Sequence, residues 1–138
     1  MTLNRRAMAS QHPIEIILAR QWASTMSHPI WITDHAGNLL FYNVAAEAVL
    51  GVRFDEAGEM PAEQLSELFE TTGLDGSPMP SEELPLLRAL TNWTPAHGPL
   101  RIRGHDRIWR DIEVTAIPLI GEGERRLGAL AMFWELEG

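Results

Sequence analysis

The chain has 138 residues, 45% of them apolar and 22% charged, enough to bury a single core without disulfides or metal. Nineteen acidic residues against 11 basic ones leave a net charge of −8, which repels a phosphate backbone and gives no electrostatic reason to sit on an anionic membrane. The absence of Cys excludes disulfides, thiolate catalysis, Cys-ligated zinc, iron–sulfur clusters and cysteinyl–flavin photochemistry. No apolar run approaches the roughly 20 residues that cross a bilayer. Two arginines near the start, Arg5 and Arg6, are followed by Gln11, His12, Pro13 and Glu15 instead of the apolar run of a secretory signal. The expected setting is the cytoplasm, with neither nucleic acid nor membrane as a partner.

Residues 1–11 read as a frayed tail. From Pro13, the residues Ile14, Ile17, Leu18 and Trp22 recur at spacings of three and four, with Glu15, Arg20 and Gln21 off that stripe. This predicts an amphipathic helix from about Pro13 to Met26, ended by "SHP" at Ser27–Pro29. "IWIT" (Ile30–Thr33) is β-branched and aromatic, so a strand. In "DHAGN", Asp34 and Asn38 can bond their own backbone and Gly37 supplies a positive φ, which makes a turn. "LLFYN" returns as the second strand, closing a hairpin over Ile30–Asn43. "VAAEAVLG" is a short helix with Asn43 as N-cap, Glu47 exposed and Gly51 at the C′ position. Further on, "PAEQLSELF" (Pro61–Phe69) predicts a helix, "TTGLDGSPMP" (Thr71–Pro80) a loop rich in breakers, and "SEELPLLRAL" (Ser81–Leu90) another helix. Three strands follow, Gly98–Arg103, Arg107–Leu119 and Arg125–Glu137, joined by "GHD" and "GEGE". The order predicts an α+β fold with a five-stranded antiparallel sheet and short helices on one face.

Three pieces, in this order, carry a family resemblance: "PIWITDHAGNLLFYNVAAEAVLG", "DGSPMPSEELPLLRAL" and "RIWRDIEVTAIPLIGEGERRLGALAMFWELE". Together they resemble a PAS domain of the kind found in bacterial sensors, over about Ser27 to Glu137. The resemblance implies a PAS fold over residues 27–138, preceded by a tail and an amphipathic flanking helix over 1–26. It also implies a signalling module that recognises a small apolar ligand or a signalling-protein partner, transmits by dimerisation and has no catalytic activity. The first hairpin would then be a scaffold that frames the pocket and the edge from which the domain signals. Where the family passes into a "D-x-T"-like junction and an output helix, this sequence reads "FWELEG", as expected of either a stand-alone PAS protein or a piece of a longer one.

Candidate chemistry is sparse. His12, His28, His35, His97 and His105 show no metal-ligand spacing. Haem-binding PAS domains resemble one another in placing a His on the long helix before the third strand. That helix has none here, so His97 is the one haem candidate, against the plainer reading of a solvated loop histidine. No cofactor and no metal are expected. Glu82 and Glu83 are adjacent, point about 100° apart on a helix and suit its N-terminal dipole better than catalysis. Asp34 beside His35 reads as a turn cap, not a dyad. Nucleophile-elbow, P-loop and dinucleotide motifs are absent. The rival reading is a small α+β enzyme resembling ketosteroid isomerase, which would bury an isolated Asp or Glu on the inner sheet face. The hairpin ahead of the helices speaks against it.

In "RIWRDIEVTAI", Ile108, Ile112, Val114 and Ala116 share one face, broken by Arg110, while Trp109, Asp111, Glu113, Thr115 and Ile117 share the other. The smoother apolar row is expected to face inward, which leaves Trp109 outside. A ligand would lie between that face and the helices, near Leu84, Leu87, Leu90, Ile102, Ile112, Val114 and Phe133. Apolar or aromatic molecules suit such walls, unless these side chains simply fill a solid core. The helical stripe of Ile14, Ile17, Leu18 and Trp22, together with Trp109 and Ile117 and with Trp31 or Trp134 beside them, is the expected homodimer interface. The competing outcome is a monomer whose helix folds back over its own sheet.

Overall fold

The computed structural model describes residues 12–137, so the tail expected over 1–11 lies outside the described residues. The chain runs through α1 (Ile14–Ala23), β1 (Ile30–Asp34), β2 (Leu39–Tyr42), α2 (Val44–Leu50), α3 (Phe54–Ala57), α4 (Ala62–Leu68) and β3 (Glu70–Thr72). A 3₁₀ turn at Ser81–Glu83 then leads into α5 (Pro85–Asn92), β4 (Ala96–Arg103), β5 (Trp109–Ile120) and β6 (Arg126–Glu135). All strands join one antiparallel sheet in the order β2-β1-β6-β5-β4-β3.

The sheet has six strands, not five. The extra one, β3, sets Glu70, Thr71 and Thr72 opposite Arg103, Ile102 and Arg101 at the edge. Three residues carry too little alternation to read as a strand; the free edge of β4 makes them one. The predicted helix over Ser81–Leu90 is also split. Leu84 stands in extended backbone at φ −63°, ψ 134°, because the ring of Pro85 disfavours the α region for the residue before it.

Local signals in the first hairpin take the predicted form. The Asp34 carboxylate accepts from the Ala36 and Asn38 N–H groups at 3.0 and 2.9 Å, and Gly37 has φ 87°. A Cβ on Gly37 would already touch Ala62 and Leu87 at 3.7 Å. Gly37→Val is therefore expected to cost about 1–3 kcal/mol, read as a lower urea midpoint at unchanged slope. An unmoved midpoint would mean that the turn tolerates a branched side chain at positive φ. Asn43 caps α2, accepting from the Ala46 N–H at 3.0 Å, and Gly51 ends it at φ 74°. Glu47 is half-buried, not exposed as predicted. The chain turns back at Gly51 and brings the Phe54 N–H to within 2.9 Å of its carboxylate.

The sheet separates two apolar clusters. The larger lies between its inner face and α2–α5, and includes Tyr42, Phe69, Leu100, Ile112, Val114 and Phe133. The smaller lies on the outer face, where Ile16, Ala19 and Ala23 of α1 meet Ile30, Ile32, Leu40, Leu127 and Leu130. Helix α1 therefore folds back over its own sheet, but not by the predicted stripe. Ile14, Leu18 and Trp22 are 62%, 55% and 48% exposed, and Ile17 is 36% exposed. "IEIILARQWA" is apolar around most of its circumference, so periodicity alone offers two faces. The face with two alanines is the one that docks, since small side chains let the helix lie close to the sheet. Trp31 is a second correction: it points inward and not to the outer face, because Ile30 and Ile32 on either side of it enter the outer cluster.

Candidate ligand cavity

The inner face of β4, β5 and β6 is built by alternation. Leu100 and Ile102, Ile112 and Val114, and Ala131 and Phe133 all point the same way, with Leu100 opposite Ile112 and Val114 opposite Phe133. Above them lie α4, the loop carrying Met79, and α5. Ala131 contributes only a methyl to the floor. Helices and sheet leave between them a cavity of about 760 Å³, lined mostly by apolar groups.

Of the predicted ligand residues, Leu84, Leu87, Ile102, Ile112, Val114 and Phe133 line the cavity. Leu90 does not; its Cδ1 lies toward the first hairpin turn, 3.8 Å from where a Cβ on Gly37 would be. Sequence reasoning missed Trp31, Phe69, Met79, Leu100 and Ala131. Leu100 had a signal, two residues before Ile102 on one strand. Phe69 and Met79 had none, for they follow a helix and sit in a loop.

Trp31 is the aromatic anchor of one wall. It stacks on Tyr42 with ring centroids 5.7 Å apart and 11° between planes, and meets Phe69 edge-on at 5.8 Å. Its indole Nε1 is buried and has no hydrogen-bond partner among the described residues. The Tyr42 hydroxyl donates to the Val52 carbonyl at 2.8 Å. Burial, and then the Glu47 carboxylate, push its pKa well above the usual tyrosine range, so the phenol stays neutral and keeps donating.

Polar groups occupy the rim: Glu63 and Ser66 on α4, Glu70 and Thr71 on β3, and Ser81. Among the described residues the buried polar side chains are Thr33 and Asn43, and no Asp or Glu is buried. The acid required by the isomerase-like reading is thus not among them. His97 lies on β4 opposite Thr115, exposed and on the outer side of a strand whose Ala96 and Leu100 are buried inward. It is a strand residue, not a loop residue, and does not face the cavity. No cluster of His, Asp and Glu suited to a metal ion occurs among the described residues, and no described helix is long and apolar enough to cross a membrane.

Apart from the inward Trp31, the predicted interface residues reach the surface. Besides the α1 stripe, Trp109 and Ile117 on β5 are 42% and 40% exposed, with Trp134 on β6 at 40%. Trp109 lies under the Arg103 guanidinium at 5.5 Å.

No family model matches the sequence, and no curated protein matches it. Solved structures do. The PAS domain of a protein from Colwellia psychrerythraea is 20% identical with a TM-score of 0.64, over 88% of this chain and 96% of its own. The PAS domain of nitrogen regulation protein NR(II) from Vibrio parahaemolyticus is 19% identical with a TM-score of 0.61, over 86% and 98%. A LOV protein of Rhodobacter sphaeroides is 11% identical with a TM-score of 0.68, over 91% and 69%. At such identities the likeness speaks for the fold alone, and the fold of this chain is that of a PAS domain.

Proposed function

We propose that this PAS domain is a sensory module without catalytic activity. It takes a small apolar or aromatic ligand between α4, α5 and the inner sheet face, and signals through a second copy of the chain. The observation that carries the reading is the cavity of about 760 Å³ with apolar walls and no buried carboxylate among the described residues. A space of that size is typical of small-molecule sites. It has no acid held in a low dielectric and so no evident group for proton transfer.

Native mass spectrometry of the purified chain tests this directly. The expected result is an added mass of small-molecule size that is lost in Val114→Phe, because Val114 lines the cavity and a phenyl ring there takes up its volume. A wild-type chain that carries no added mass and takes up no apolar probe would sink the reading. No chromophore is expected in the same sample, since Cys is absent and His97 faces away from the cavity. A Soret band or flavin absorption after purification with those cofactors supplied would overturn that part.

Association through the outer side is supported by the exposed Leu18 and Trp22 on α1 and by Trp109, Ile117 and Trp134 on the sheet. Burying large apolar groups of this kind contributes on the order of 1–2 kcal/mol each. Deleting α1 would be a poor test, because it would uncover Ile30 and Ile32. Leu18→Arg leaves the docked face intact and should turn a dimer into a monomer in sedimentation. A wild-type chain that sediments as a monomer at tens of micromolar contradicts the proposed dimer.

A further inference from the structure

The rim of the cavity is electrostatically one-sided. Its charged residues are Glu63 and Glu70, and no described Lys, Arg or His lines the cavity; the Glu70 carboxylate, opposite Arg103 in the β3–β4 register, turns to the outer side of the sheet. Glu70 is paired with Arg103, whose guanidinium also lies over Trp109 on the outer face. Glu63, exposed in the first turn of α4, has no ion-pair partner among the described residues. The first turn of α5 also borders the cavity, with its backbone dipole. There Pro85 has no N–H, and the acidic Glu82 and Glu83 stand just ahead of it.

A ligand carboxylate entering this mouth gives up water and meets Glu63, with no cation among the lining residues to replace its hydration. The indole N–H of Trp31 is buried in the wall, so it presents no donor to a ligand group in the cavity. An ammonium group meets the opposite situation. Glu63 attracts it at the rim, and the aromatic walls of Trp31, Phe69 and Phe133 are favourable neighbours for a cation.

Building on the proposal that the cavity holds an apolar ligand, we infer that it selects apolar amines over carboxylates with the same apolar body. Three probes with one aromatic body separate the terms: naphthylmethylamine, naphthalenemethanol and naphthoate, titrated calorimetrically at neutral pH and low salt. The amine should bind roughly tenfold more tightly than naphthoate, with the neutral alcohol between them. Glu63→Gln should shrink the amine's advantage by roughly two- to fivefold and leave the alcohol unchanged, as expected for a partly exposed charge pair. Val114→Phe should abolish binding of all three, which places them in the cavity. If the alcohol binds while naphthoate equals or exceeds the amine, the charge selection is wrong and the ligand cavity stands. If the amine's advantage survives Glu63→Gln in full, Glu63 is not its source and the inference fails in that form. If none of the three binds, the cavity reading itself fails and takes this inference with it.

Discussion

Asn43→Ala is expected to destabilise the domain by about 3–5 kcal/mol, the largest loss foreseen for any polar side chain in the fold. One buried carboxamide joins three segments. Its Oδ1 accepts from the Ile30 N–H at the start of β1 and from the Ala46 N–H in the first turn of α2, both at 3.0 Å. Its Nδ2 donates to the Ala23 carbonyl at the end of α1, at 2.9 Å, and to the His28 carbonyl at 2.8 Å. Truncation strands buried backbone groups on each side, and each costs about 1–3 kcal/mol when left unmade. Asn43→Asp distinguishes this role from simple capping. Aspartate is as good an N-cap as asparagine, but it sets a carboxylate oxygen against the Ala23 and His28 carbonyls where a donor had been. Urea denaturation should therefore find Asn43→Asp nearly as damaging as Asn43→Ala. A stable Asn43→Asp variant would reduce Asn43 to a helix cap with no part in holding α1.

Gly128→Ala should be at least as severe, at about 3 kcal/mol or more, or should prevent folding altogether. Gly128 lies on β6 between its neighbours, paired with Asp34 on β1 and Leu119 on β5. A Cβ there would come within 1.9 Å of the Thr33 carbonyl oxygen and 2.9 Å of the Asp34 Cα. Both are backbone, so relief requires the central β1–β6 pairing to separate. Gly76→Ala supplies the contrast, because Gly76 has φ 83° but nothing within 4 Å of its added Cβ. That change should cost only about 1 kcal/mol of backbone strain. Thermal midpoints that fall equally in the two variants would show that β1 and β6 can yield, and that close approach is not what keeps position 128 bare.

Features that depend on near neighbours in the chain were written into the sequence. The turn at Asp34–Asn38, the cap at Asn43 and the left-handed end at Gly51 each rest on contacts within four residues, so residue type alone determines them. The inward row of Ile112, Val114 and Ala116 follows from strand alternation, and through it the Ile112 and Val114 part of the cavity floor was legible. What only tertiary structure decided are choices between faces and between neighbours. Helix α1 carries two apolar faces, and the fit of Ala19 and Ala23 against Ile30 and Leu130 picks one of them. Trp31 is inward because its strand neighbours Ile30 and Ile32 are claimed by that helix. Strand β3 exists because β4 offers an edge. The cavity itself has no local signature, since its volume is what remains between a sheet and helices brought together from distant parts of the chain, and no residue encodes a space.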